Sequence, residues 1–219
     1  MATRFYFPTS GAQDVTVAID ALWHQSSQAI KFKAVTSKIS SSFSTISDTE
    51  TSATIPYEFL LGQWVSGQFE AFEFLSGGSQ TVKCVVRFME SDGKGNLLGW
   101  QSLRVVSADG ATVRGALTDG QISGEADYKA LENRFLSGNI DTSVSMQDGD
   151  RLVFEIGCYA SNSSTDPFTM SAEFGDNSGT DLAENDTSQS QFCPWYEISP
   201  TLVPYTPPVT FIPRIMSIT

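Results

Sequence analysis

Between Arg151 and Ala160 every second residue is apolar. Leu152, Phe154, Ile156, Cys158 and Ala160 fall on one side of an extended chain, and Arg151, Val153, Glu155, Gly157 and Tyr159 fall on the other. A period of two describes a strand, and an unbroken apolar side needs a second layer to cover it. The mixed side is expected to lie near water. Asp148-Gly149-Asp150 immediately before it is turn chemistry, with a glycine free to take positive φ between two carboxylates that can bond their own backbone. The stretch 147–163 therefore reads as a turn leading into a central strand of an antiparallel β-sandwich.

The rest of the chain fits that plan. Thr3–Pro8 is short and aromatic and closes on Pro8, so it is expected to be an edge strand or a docking segment, within an N-terminal docking region covering residues 1–27. Val17–Trp23 has room for a turn or two of helix. Ala29–Lys38 alternates as a strand, and the Ser/Thr tract Ser37–Thr54 reads as a long loop or edge ribbon. Ser66-Gly67 separates two apolar runs, Pro56–Val65 and Gln68–Leu75, as in a tight hairpin turn or a bulge. Both faces there carry large side chains, which calls for cover on both sides and leaves room for another subunit. Thr81–Glu90 and Leu97–Ala108 flank the turn Ser91–Asn96 and read as a hairpin. Ala111–Leu117, Thr142–Met146 and Pro167–Phe174 read as strands, ADYKALENRF (126–135) as a two-turn helix, and Phe192–Ser199 as an edge strand because of Pro194. Residues 1–199 thus form one jelly-roll-like sandwich domain with long loops. Residues 200–219 hold Pro200, Pro204, Pro207, Pro208 and Pro213 and read as an extended arm. Leu202, Val203, Tyr205, Val209, Phe211, Ile212, Ile215 and Met216 make that arm too apolar to stand in water.

A single sandwich accommodates 219 residues, and at that length roughly 70% of the unfolded surface is buried on folding, so neither disulfide nor metal is needed for stability. The net charge of −12 argues against nucleic acid, which needs a basic patch to release counterions, and against an anionic membrane surface. The acidity is uneven: after Ser161, Asp166, Glu173, Asp176, Asp181, Glu184, Asp186 and Glu197 face one cation, Arg214. The opening residues lack the pattern of a secretory signal and no apolar run reaches the roughly 18–20 residues of a membrane span, so synthesis in a cytoplasm is expected. Cys84, Cys158 and Cys193 are expected to be buried free thiols.

His24 is the single histidine, with no Ser-His or Cys-His motif around it, so no catalytic group and no cofactor is expected. Zinc lacks its ligand spacing. The loop 173–186 offers Asp176, Asp181, Glu184 and Asp186 as weak Ca²⁺ ligands without EF-hand spacing, and a solvated acidic loop is the better explanation of them. A glycosidase carboxylate pair has no support beyond general acidity. Trp64, Trp100 and Trp195 lie in strand patterns, where core or interface packing competes with stacking on sugars.

The segments RVVSADGATVRGAL, SVSMQDGDRLVFEIGCYA, FGDNSGTDLAEND and PWYEIS, with the opening TRFYFPTSG, resemble a family of tailed-bacteriophage virion structural proteins. The match covers about half the chain; residues 37–75 and those after Ser199 fall outside it. The resemblance implies a β-sandwich without catalytic residues, acting as a capsid decoration (cement) protein or a tail-associated component. Its expected partners are the major capsid protein and further copies of itself, as a homotrimer on the capsid exterior. Phe5, Tyr6, Phe7, Tyr205, Phe211, Ile212 and Ile215 are the candidate interface residues. The alternative is a tail fibre or receptor-binding module that contacts host glycan through exposed aromatics; a glycan depolymerase is weaker still.

Overall fold

A computed structural model describes residues 2–50, 57–91, 96–125, 130–160, 167–177, 179–185 and 192–208. Thirteen strands follow in order: β1 (Thr3–Tyr6), β2 (Ile30–Lys33), β3 (Ser44–Glu50), β4 (Tyr57–Val65), β5 (Phe72–Phe74), β6 (Thr81–Glu90), β7 (Leu97–Val106), β8 (Val113–Glu125), β9 (Glu132–Asn139), β10 (Val144–Met146), β11 (Arg151–Ala160), β12 (Phe168–Phe174) and β13 (Trp195–Ile198). The fold is an all-β sandwich. One sheet has the order β2-β4-β11-β7-β8, the other β1-β13-β6-β12-β3 with β9 paired to β6, and β10-β5 forms a small third sheet. Among these described strands every pair is antiparallel except β2 with β4.

β11 takes the central place expected of it, between β4 and β7. Its apolar side meets the opposite sheet: Phe154 packs against Phe5, Phe7 and Tyr196, with ring centroids 4.8, 5.8 and 5.2 Å away. β6 organises the other sheet. β9 runs along one of its edges, while β13 (opposite 82–85) and β12 (opposite 87–90) share the other.

Several expectations are overturned. β6 and β7 are not a hairpin, because they lie in opposite sheets. Alternation places Val86 and Phe88, like Leu103 and Val105, toward the core, but it carries no instruction about which strand lies alongside. Ser66-Gly67 does not close a hairpin either: Ser66 exchanges backbone and hydroxyl hydrogen bonds with Leu152, and β5 pairs with β10. The helix expected within 126–135 is absent over its described part, where Glu132–Phe135 belong to β9; the open edge of β6 outweighs local helix preference. No helix forms in 17–23, where a turn surrounds Leu22. Pro194 does not mark an edge, since it precedes the first paired residue and β13 is flanked by β1 and β6.

The outward side of β11 is also not near water. Residues 13–25 cross it: Val17 packs on Val65, Val106 and Val153, and Trp23 lies over Gly157, where an added Cβ would sit 2.8 Å from the indole and 2.1 Å from the Phe59 carbonyl oxygen. Beneath this cover Glu155 is wholly buried. It accepts hydrogen bonds from Trp23 Nε1 (2.7 Å), Gln63 Nε2 (2.8 Å), Arg104 Nη2 (2.6 Å) and the Asp20 amide (3.2 Å). Arg104 also donates to the Ala18 carbonyl and pairs with Asp20. The buried charge is therefore fully used in fastening the N-terminal segment to the sheet.

Candidate functional site

The C-terminal arm begins as part of the sandwich. The Thr3 amide and hydroxyl donate to the Pro200 carbonyl, and Leu202 is buried, its amide donating to Thr3 Oγ1. The Glu70 amide then donates to the Val203 carbonyl (2.8 Å), Pro204 bridges Phe69 in antiparallel sense, and the Tyr205 amide donates to the Gln68 carbonyl (3.0 Å). Proline at 204 costs no hydrogen bond, because the bonds on either side are carried by 203 and 205.

Where the arm passes 67–69 it forms one wall of a cleft of about 320 Å³. The opposite wall is 33–37, held by the amide of Tyr6 donating to the Val35 carbonyl and that of Val35 donating to the Tyr6 carbonyl. Phe5, Ala34, Val35, Phe69 and Pro204 make the lining mainly apolar. Lys33 stands at the rim, paired with Asp14 at 2.8 Å. The volume is at the low end for binding sites, roughly 300–1,000 Å³, and has room for a few apolar side chains.

The expected interface residues are dispersed by the structure. Phe5 and Phe7 are 0% exposed and belong to the main core, so they are corrected from docking residues to core residues; the TRFYFP pattern is apolar because it closes the sandwich. Tyr6, facing the other way, is half-buried: Lys38 sits 5.0 Å over its ring, and its hydroxyl donates to Asp181 at 3.2 Å. Tyr205 is half-buried in the arm, beside Gly149. Phe211, Ile212 and Ile215 lie outside the described residues. Ala34, Val35, Gly67 and Phe69, which build the cleft, were not singled out by pattern, since they come from segments that meet only in the folded chain.

The acidic loop does not gather its carboxylates. Asp176 is buried and accepts from the Ile39 amide (2.6 Å) and the Ser41 amide. Asp181 is paired with Arg4 (2.7 Å) and Lys38 (2.6 Å). Burial alone would raise this carboxyl, but the hydrogen bonds from Lys38 and Arg4 hold it below the usual carboxylate range. Glu184 is paired with Lys83 at 2.7 Å, and Asp186 lies outside the described residues. Each described carboxylate thus has its own protein donors at a different place, which corrects the expectation of a shared Ca²⁺ loop.

Trp64 and Trp195 are buried, Trp64 Nε1 donating to the Pro8 carbonyl and Trp195 Nε1 to that of Leu182. Trp100 differs. It is half-buried on the outer side of its sheet, stacks on Tyr159 (5.2 Å, 27°) and donates from Nε1 to Asp119 at 3.0 Å. Partial burial, followed by the charges of Asp20 and Glu58, raises the Asp119 carboxyl against the lowering hydrogen bond from Trp100. His24 stacks on Tyr57 and pairs with Glu58. All three cysteines are buried free thiols, and burial pushes Cys84 and Cys158 well above the ordinary thiol range, away from nucleophilic use.

No family model matches the chain, and no curated protein matches it. Among solved structures, a CocE/NonD family hydrolase from Staphylococcus aureus superimposes with TM-score 0.48 at 8% identity, over 93% of this chain and 36% of the hydrolase chain. A structure of infectious bursal disease virus, Gt strain, superimposes with TM-score 0.33 at 10% identity, over 88% of this chain and 42% of the viral one. The chain therefore spans less than half of either, and neither hydrolase activity nor an assembly role is carried over from such loose likenesses.

Proposed function

We propose that this chain is a structural component of a tailed-phage virion, a capsid decoration protein that binds the major capsid protein on the outer surface as a homo-oligomer. The observation that carries the reading is the arm. Its first residues are hydrogen-bonded to the sandwich as far as Tyr205, and the closing sequence VTFIPRIMSIT (209–219) is mainly apolar, with Arg214 its one charged side chain. A rigid body with an apolar extension suits an assembly of repeated copies, where many modest contacts add up. The sequence resemblance points the same way. In this reading the chain is not an enzyme and needs no cofactor. Counting copies of the chain in purified virions tests it: many per particle are expected, a handful would move the protein to the tail, and none would end the proposal.

A second reading, contact with host glycan, has one observation in its favour, the half-buried Trp100–Tyr159 stack with Asp119 at its edge. Aromatic faces and an oriented carboxylate are what a sugar ring uses. Glycan-array binding lost in Trp100→Ala with the fold retained would favour it; Trp64→Ala is uninformative there because Trp64 is core.

A further inference from the structure

We propose that the Trp100–Tyr159 stack, with Asp119 at its edge, is the seat for an arginine side chain of a partner protein. The three residues come from adjacent strands on the outer side of one sheet. Trp100 on β7 lies opposite Gly157 of β11, Tyr159 follows two residues along β11, and Asp119 of β8 lies opposite Ser102 of β7. Trp100 Nε1 donates to Asp119 Oδ1 at 3.0 Å, which fixes the carboxylate at the edge of the ring. Its second oxygen and the Tyr159 hydroxyl have no partner among the described residues. Ser102 falls between Trp100 and Arg104 and so faces the same side, flanked in register by Asp119 and Glu155. It is 1% exposed, and its Oγ has no hydrogen-bond partner among the described residues. A buried hydroxyl of that kind is satisfied by a donor brought in beside Asp119.

The chain shows elsewhere what such a group of residues holds. Trp195, Asp181 and Glu197 seat the chain's own Arg4, whose guanidinium carbon lies 3.9 Å from the ring centroid, with Nη1 2.7 Å from Asp181 and Nη2 2.8 Å from Glu197. A planar guanidinium stacks on an aromatic face while its fork of N–H groups reaches a carboxylate at the edge, a combination that a lysine ammonium cannot match. At Trp100 the ring and the carboxylate are both present, and no cation among the described residues pairs with Asp119. The neighbouring acids have cations of their own, Arg104 for Asp20 and His24 for Glu58. Partial burial does most to raise the Asp119 carboxyl; the hydrogen bond from Trp100 opposes the rise, and the charges of Asp20, Glu58 and Asp141 add to it. An arriving cation relieves that repulsion, whereas a neutral sugar leaves it in place. The net charge of −12 steers the chain toward a basic partner surface, and arginine, tryptophan and tyrosine are the side chains that dominate binding at protein interfaces.

This rests on the reading of the chain as one that docks onto another protein. Its test is made in solution with a small molecule, so a failure leaves the virion count untouched, and absence from virions would leave arginine binding standing. Acetyl-arginine methylamide is titrated into the full chain while NMR follows the indole N–H signal of Trp100, assigned by its loss in Trp100→Phe. The expected result is a saturating shift of that signal. The neutral isostere acetyl-citrulline methylamide should bind about tenfold more weakly, having lost both the ion pair and the cation–π contact. Asp119→Asn keeps an acceptor for Trp100 Nε1 and should weaken arginine binding about threefold, the loss of one exposed ion pair. Asp109→Asn removes the same charge from an exposed position in the turn between β7 and β8 and should change nothing. No saturating shift, equal binding of the two compounds, an unaffected Asp119→Asn, or an equal loss in Asp109→Asn would each overturn the proposal. Tighter binding of N-acetylglucosamine than of the arginine compound would also overturn it and assign this face to glycan.

Discussion

Phe154 shows how much a single side chain carries. It is 1% exposed and touches three aromatic rings contributed by β1, the residues just after it, and β13. Phe154→Ala should cost about 3–5 kcal/mol through lost transfer energy and the cavity left behind, read as a lower urea midpoint with unchanged slope. Asp181 makes a pH-dependent contribution. Its folded-state pKa is depressed by Lys38 and Arg4, so its stabilisation is present above the unfolded carboxyl value, about 3.9, and is lost as pH falls through the lower folded value. Asp181→Asn lacks that contribution at neutral pH, so the stability gap between the two proteins should shrink as unfolding is measured progressively below about pH 4. A gap independent of pH would show that Asp181 acts through its shape alone. Among the docking aromatics of 5–7, the sequence pattern showed that they are apolar but not that Phe5 and Phe7 are used up inside. Only their distance from Phe69, Trp64 and Phe154 settles that.

At the scale of elements, the N-terminal cover and the arm are secured by different physics. Residues 18–23 are held by one buried carboxylate, Glu155, with Arg104 beside it. Glu155→Ala leaves Arg104 with only the Ala18 carbonyl and the longer Asp20 contact, and should cost about 3 kcal/mol, the lower end for breaking a buried pair. Trp23 fluorescence should report the segment lifting before the sheets unfold. Gly157, at the irregularity where β11 pairs β4, lets Trp23 lie flat. Gly157→Ala meets the Phe59 carbonyl oxygen, which backbone cannot yield cheaply, and should destabilise by about 1–3 kcal/mol; a thermal melt unchanged from wild type would contradict this packing. The arm, in contrast, is tied over 200–205 by hydrogen bonds to the Thr3 hydroxyl and to backbone and by the burial of Leu202.

For the whole molecule, the net charge of −12 opposes the self-association that the proposed virion role requires. Raising salt from about 0.01 M to about 1 M shortens the screening length from roughly 30 Å to 3 Å, so sedimentation of the proposed homo-oligomer should show stronger association at high salt; weakening would mean that ion pairs dominate its contacts. The all-β class, the central strand 151–160 and the inward side of β6 were all readable from the chain alone, because alternation acts on neighbouring residues. The sequence did not reveal that β6 and β7 part into opposite sheets, that 132–135 become a strand, that Glu155 lies under cover, or that a cleft opens beside Pro204. Each of those depends on residues far apart in the chain meeting in space, and a period of two says which way a side chain points without saying what it will meet.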